Sequence, residues 1–281
     1  MKIIDGFGEL ADRYDGFIVD LWGVVHDGVA PFPGALDCLN RLRGRPVLLL
    51  SNAPRRATAA RHALLRLGVP DTLYSFILTS GEATWLALRD RTDTWFAQLG
   101  RRAYHLGPER DRNVIDGLDI FRVTTPEDAD FVLNTGPDDM RDPTSLTEFL
   151  PELAACRAAG LKMICANPDL EVMRGDKRLL CAGALAAHYL EIGGDVRSIG
   201  KPDPAIYDLA LAQLGVPRGR VLAIGDSLRT DIAGAANAGM DSIWILGGIH
   251  GAVLGDDHGA IHEAPRKFGV APTAAQRLWS W

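Results

Sequence analysis

Short apolar runs that end in a polar residue recur along this chain, and they constrain its fold more than any other feature. GFIVD (16–20), PVLLLSN (46–52), SFILTS (75–80), VLAIGD (221–226) and DSIWIL (241–246) all have the length of a strand. Residues 34–43, 55–67, 204–214 and 230–238 have helix-like spacing, and Gly68 and Pro70 stop the second of these segments. Strands that are apolar throughout have no water-facing side, so they belong in a parallel sheet covered by helices on both faces. The expected fold class is α/β, with a Rossmann-like core.

A second alternation lies between the two groups of strands. RAYHLG (102–107), ADFVLNTG (129–136) and LKMICAN (161–167) read as strands, with helices near 144–159 and 179–192. This is enough for an inserted smaller α/β domain, so a cap is expected at 85–197 within a core made of 1–84 and 198–281. With 281 residues the chain can bury both. The tail beyond Gly247, rich in Gly, His and Asp, reads as a partly irregular segment packed on the core.

The formal charge of -6 lacks the clustered Lys and Arg excess that nucleic acid or an anionic membrane requires, which leaves small molecules as the expected partners. No apolar stretch has the length of a signal peptide or a membrane span, and a cytoplasmic location is expected. Cys38, Cys156, Cys165 and Cys181 sit in apolar contexts without the spacing of a zinc site or redox pair, and read as small core residues.

In open parallel sheets the reactive groups collect beyond the carboxyl ends of the strands. Asp20 closes the first run, Ser51 and Asn52 close the second, Lys201 lies in GKPDP before a helix, and Asp226 and Asp231 lie in GDSLRTD. Singly, such residues cap helices or sit solvated at the surface. Together, a carboxylate, a hydroxyl, a lysine and a carboxylate pair are the parts that hold a phosphoryl group beside a divalent cation. Asp203 and Pro204 can cap and start the helix that follows Lys201.

In order and spacing these segments resemble the four motifs of the haloacid dehalogenase superfamily. CANPDLEV (165–172), the CAGALAAHYL helix (181–190) and GKPDP further resemble subfamily IIA, which holds N-acetylglucosamine phosphate phosphatase-like and pyridoxal phosphatase-like enzymes. The resemblance implies a magnesium-dependent hydrolase of a small phosphorylated metabolite. Asp20 would attack phosphorus, and water would then hydrolyse the aspartyl-phosphate. It also implies Mg2+ held by Asp20, the backbone carbonyl of Trp22 and Asp226, with Asp231 in the outer shell. Lys201 would balance charge, while the Ser51 hydroxyl and nearby amides, including that of Asn52, would donate to the phosphoryl oxygens. Homodimerisation is a further expectation from the resemblance.

One position departs from the pattern. Phosphatases of the superfamily carry a second Asp two residues after the nucleophile, and here Trp22 stands there, in DLWGVVHDG. Three explanations follow. Another group, with His26 or Asp27 nearest, replaces the missing acid and base, although His26 reads first as a solvated turn residue. Alternatively the chemistry is phosphonatase-like, or the protein is a weakly active or inactive sensor that binds a phosphorylated metabolite.

Substrate choice is expected to lie with the cap. Asp169 either bonds a substrate hydroxyl or amine or forms an Asx-type turn. Met173, Arg174 and Lys177 read as part of the same loop, and Trp85 and Trp95 as packing residues. A sugar phosphate, a pyridoxal-like phosphate and a nucleotide all remain open.

Overall fold

In the computed structural model of the chain, residues 1–174, 177–249 and 257–281 are described. They form two compact units. One comprises Met1–Ser51, Thr58–Leu78 and Lys201–Trp281, and the other Asn52–Ala57 and Thr79–Gly200. The second unit thus begins at Thr79, ahead of the expected 85, and also takes in residues 52–57.

The first unit is built on a seven-stranded sheet, in the order Lys2–Ile3, Ala274–Gln276, Asp241–Ile245, Val221–Gly225, Gly16–Asp20, Val47–Ser51, Phe76–Thr79. The pairings from Lys2–Ile3 through Val47–Ser51 are parallel. Side chains on a strand alternate between faces, and here both faces are apolar. Ile243 and Ile245 join the cluster of Phe17, Val19 and Leu49, whereas Trp244 packs with Leu228, Ile232 and Ile261. Burial of both faces is what the continuous apolar runs require.

Residues 250–256 of the tail lie outside the described residues, and the described remainder is more regular than expected. His258–Lys267 is a helix, and Ala274–Gln276 is a strand inserted between Lys2–Ile3 and Asp241–Ile245. Trp279 beyond it is buried and meets Phe7 edge-on at 5.7 Å.

The second unit holds a five-stranded parallel sheet, in the order Asp195–Ser198, Lys162–Cys165, Phe131–Asn134, Arg102–Leu106, Phe121–Val123. Alternation again buries both faces, with Val132 and Met163 in one cluster and Phe131, Leu133 and Ile164 in the other. The segment expected as a loop after Asp169 is instead an antiparallel pair, Glu171–Arg174 with Lys177–Leu180. For that reason the next helix starts at Ala182, later than the expected 179. Trp85 is a packing residue, donating its indole N–H to the Asp116 carbonyl at 2.9 Å, with the Arg56 guanidinium 4.0 Å from its ring centroid. Among the described residues no helix is long and apolar enough to cross a membrane.

Candidate active site

Sheet register sets the geometry of the site. Asp20 ends the Gly16–Asp20 strand, whose neighbours are Val47–Ser51 on one side and Val221–Gly225 on the other. Asp20 pairs with Leu50 and Val19 with Ile224, so Ser51 and Asp226 extend from adjacent strand ends beside Asp20. Asp20, Asp226 and Asp231 are 7%, 5% and 5% exposed, and one oxygen from each lies within 4.8 Å of the others.

Asp231 reaches this point on a widened helical turn. The Ile232 N–H donates to the Ser227 carbonyl five residues back at 3.1 Å, and the Ser227 side chain caps the turn by accepting from the Thr230 N–H. Such π-type turns redirect side chains and recur at functional sites. The helix expected over 230–238 is therefore a π turn at Leu228–Ile232 followed by a short α-helix, Ala233–Asn237. The Asp231 carboxylate accepts from the Ser227 N–H at 3.1 Å, and its carbonyl accepts from the buried Tyr207 hydroxyl at 3.1 Å.

Lys201 is 3% exposed and binds two of the three acids, donating to Asp20 Oδ1 at 2.5 Å and Asp231 Oδ1 at 2.7 Å. A third contact reaches the Leu50 carbonyl at 3.5 Å. The loop carrying it is anchored as expected, because Asp203 accepts from the Ala205 N–H at 2.9 Å and Pro204 opens the helix Pro204–Leu214.

Asp226 sits in a tight seat. The Ile249 N–H donates to its Oδ2 at 2.7 Å. Gly23, at φ +82°, comes so close that a Cβ there would lie 2.2 Å from that oxygen. Only glycine satisfies both the backbone conformation and the contact. Burial, then the charges of Asp20 and Asp231, hold the Asp226 carboxyl well above the usual carboxylate range. Three carboxylates balanced by one lysine leave an excess of negative charge, and the donors are all hard oxygens. That combination fits Mg2+, which takes oxygen ligands from one or two carboxylates and carries the balancing charge.

The turn after Asp20 places Trp22 and His26. His26, expected as a solvated turn residue, is instead 7% exposed. Its Nδ1 accepts from the Gly28 N–H at 3.0 Å, which puts the proton of the neutral ring on Nε2. Burial lowers its pKa to about 4. Its ring meets that of Trp22 edge-on at 5.4 Å, and the Trp22 ring lies against Gly28. Asp27 is exposed and serves the turn, accepting from the Val29 and Ala30 N–H groups at 2.8 Å.

Ser51 and Asn52, adjacent in the chain, divide between the two units. Within the second unit the Asn52 Nδ2 donates to Asp169 Oδ1 at 2.9 Å. Asn167 forms the Asx-type turn, its Oδ1 accepting from the Asp169 N–H at 3.0 Å. Asp169 thus enters as partner of both asparagines. The supporting roles of Gly23, Tyr207 and Ile249 carry no motif signal in the sequence. Only the folded contacts reveal them.

A family model described as haloacid dehalogenase-like hydrolase matches residues 17–121, and one described as HAD-hydrolase-like matches 198–273. Ribonucleotide monophosphatase NagD of Escherichia coli is 32% identical, over 83% of this chain and 87% of its own length. D-glycerol 3-phosphate phosphatase of Mycobacterium tuberculosis is 29% identical, over 94% of this chain and 75% of its own. The crystal structure of a haloacid dehalogenase-like hydrolase from Brucella suis matches with a TM-score of 0.83 and 35% identity, covering 99% of this chain and 100% of that one. That of glycerol phosphate phosphatase from Mycobacterium tuberculosis in complex with magnesium matches with a TM-score of 0.67 and 29% identity, covering 85% and 70%. The chain belongs to the haloacid dehalogenase-like hydrolases, among the phosphatases of subfamily IIA.

Proposed function

We propose that the chain hydrolyses monoesters of phosphate with small metabolites, using Asp20 as nucleophile. The observation that carries this reading is the buried cluster at the strand ends, three carboxylates within 4.8 Å of one another with Lys201 bonded to two of them. In the first step an Asp20 oxygen forms a bond to phosphorus as the bond to the leaving oxygen breaks. In the second, water forms the new bond to phosphorus, its proton passing to the released phosphate or to solvent, and Asp20 leaves as a free carboxylate.

Asp20, the Trp22 carbonyl and Asp226 are assigned to hold Mg2+, with Asp231 behind them. The ion supplies positive charge against the phosphoryl oxygens. Lys201 fixes Asp20 and Asp231 relative to each other and offsets their charge. The Ser51 hydroxyl and the Asn52 amide are assigned to the phosphoryl oxygens.

Choice of leaving group is assigned to the second unit, with Asp169 as the polar contact. Relatives named for glycerol phosphate and ribonucleotide monophosphates favour a polyol or nucleoside ester over the sensor reading. Buried thiols at all four cysteines fit a reducing, cytoplasmic setting.

The test is phosphate release from a panel of phosphorylated polyols, sugars, nucleotides and pyridoxal phosphate with Mg2+, comparing wild type with Asp20→Asn. Release by wild type and its loss in the variant are expected. If no ester turns over while orthovanadate with Mg2+ still raises the melting temperature, a binding role replaces hydrolysis.

A further inference from the structure

Asn52, Ser80, Asp169 and Gly200 are remote in sequence and meet in one polar cluster of the second unit, in which all but the half-buried Asp169 are buried. Asn52 Nδ2 donates to Asp169 Oδ1 at 2.9 Å, and Ser80 Oγ donates to Asn52 Oδ1 at 3.1 Å. Asn52 is 3% exposed and Ser80 is 0% exposed. The opposite amide orientation would set the Asn52 oxygen against a carboxylate, so the network itself fixes which way the amide points.

Gly200 completes the cluster. Its φ is +135°, and a Cβ there would lie 2.2 Å from Ser80 Oγ and 2.6 Å from Asn52 Oδ1. Any side chain at 200 would push the two hydrogen-bonding partners apart. Asp169 is gripped along its backbone as well, since its N–H donates to Asn167 and its carbonyl accepts from the Gly183 N–H, both at 3.0 Å.

Two of these residues, Asn52 and Gly200, are covalent neighbours of phosphoryl-site residues. Asn52 follows Ser51, Gly200 precedes Lys201, and Ser80 lies one residue beyond Thr79, where the chain returns to the second unit. A single peptide link has only two soft dihedrals on each side, so a shift of Asn52 or Gly200 is passed directly to Ser51 or Lys201. Misplacing a reacting group by an ångström costs about a hundredfold in rate.

We propose that Asn52 and Ser80 are positioning residues that lock Asp169 to the peptide links carrying Ser51 and Lys201. The hydrogen bonds of the cluster then set the backbone at Asn52 and Gly200, one link from Ser51 and Lys201. This rests on the assignment of Ser51 and Lys201 to the phosphoryl site made above.

The test uses p-nitrophenyl phosphate with Mg2+, because its leaving group offers Asp169 no hydroxyl or amine. Loss of rate in Asp169→Ala therefore reads positioning and not recognition. Asn52→Ala and Asp169→Ala are each expected to lower kcat about tenfold with a smaller change in KM, and the double variant to be no worse than the poorer single. An unchanged kcat in Asp169→Ala, or losses that multiply in the double variant, overturns the proposal.

Hydrogen exchange gives a readout that needs no turnover. Asn52→Ala should speed exchange in peptides spanning 167–170 and 199–202 while the core strands keep their protection. Unchanged exchange there overturns the lock. A wild-type protein that releases no phosphate from any ester would sink the phosphatase reading alone, and the lock would still be decided by exchange. If Asn52→Ala fails to fold, Ser80→Ala, which removes one donor, enters the same measurements.

Discussion

Trp22 stands where the resemblance to superfamily phosphatases would place a second aspartate. An indole can neither protonate a leaving oxygen nor take a proton from water, and its ring is packed against Gly28 and the edge of His26. His26 does not supply an ordinary acid either. With a pKa lowered to about 4 and Nδ1 already accepting from Gly28, it stays neutral at pH 7 and offers only an Nε2–H donor. The expected consequence is a rate that depends steeply on the leaving group. Phenolates such as p-nitrophenolate depart without a proton, whereas the alkoxide of glycerol does not. Trp22→Asp is therefore expected to raise kcat for glycerol phosphate at least tenfold, full acid–base assistance being worth about 10² to 10⁴ in rate. The gain for p-nitrophenyl phosphate should be much smaller. Equal gains on both substrates, or a loss on the alkyl ester, would show that Trp22 has a different part in the reaction.

At the scale of elements, the turn from Leu21 to Pro31 is held by backbone pairing and a buried histidine. The Gly23 N–H donates to the His26 carbonyl at 2.9 Å and the His26 N–H to the Leu21 carbonyl at 3.1 Å. Because the folded pKa of His26, about 4, lies below its ordinary 6.5, the unfolded chain takes up the proton first as pH falls. Its contribution is therefore complete above pH 6.5 and is lost progressively down to pH 4, amounting at most to about 3 kcal/mol. His105 of the second unit is shifted the same way, also by burial first. The melting temperature should fall between pH 7 and pH 4.5, and His26→Asn should make that fall shallower. An identical pH profile in the variant would rule His26 out as a source of acid sensitivity. Elements of this kind also mark where sequence reading stops. The strand ends carrying Asp20, Ser51 and Asp226 were legible because continuous apolar runs have one stable home, a parallel sheet covered on both faces. Lys201 was read from its place in GKPDP, ahead of the helix that Asp203 caps and Pro204 opens. The burial of His26 was not, since His, Asp and Gly in a row look like a solvated turn. Nor was the pairing of Glu171–Arg174 with Lys177–Leu180, whose alternation is interrupted by charge. The Asn52–Asp169 bond spans 117 residues, and no local pattern encodes a contact of that separation.

For the molecule as a whole, the acidic cluster ties stability to pH and to Mg2+ in a direction opposite to that of His26. The folded pKa of Asp226 is raised above its unfolded value, mainly by burial and then by Asp20 and Asp231. In the metal-free protein the protonated carboxyl is thus favoured by folding. The stability it contributes is present below the unfolded value of 3.8 and is lost as pH rises through the folded one. A divalent cation reverses the balance, because it binds the ionised carboxylates and must displace the proton first. Over the range in which Asp226 holds its proton in the metal-free protein, Mg2+ affinity should strengthen about tenfold per pH unit. Ligands that bind only the folded state raise its melting temperature according to their affinity. The upward shift produced by millimolar Mg2+ should therefore be larger at pH 8 than at pH 6, with proton release detectable when the same binding is followed by calorimetry in buffers of different ionisation enthalpy. Asp226→Asn removes both the titrating group and a proposed metal ligand. It should melt higher than the metal-free wild type at pH 8 and respond little to Mg2+ at either pH. A shift of equal size at both pH values in the wild type, without proton release, would mean that Asp226 is already ionised before the metal arrives and that Lys201 alone suffices to hold three charges together.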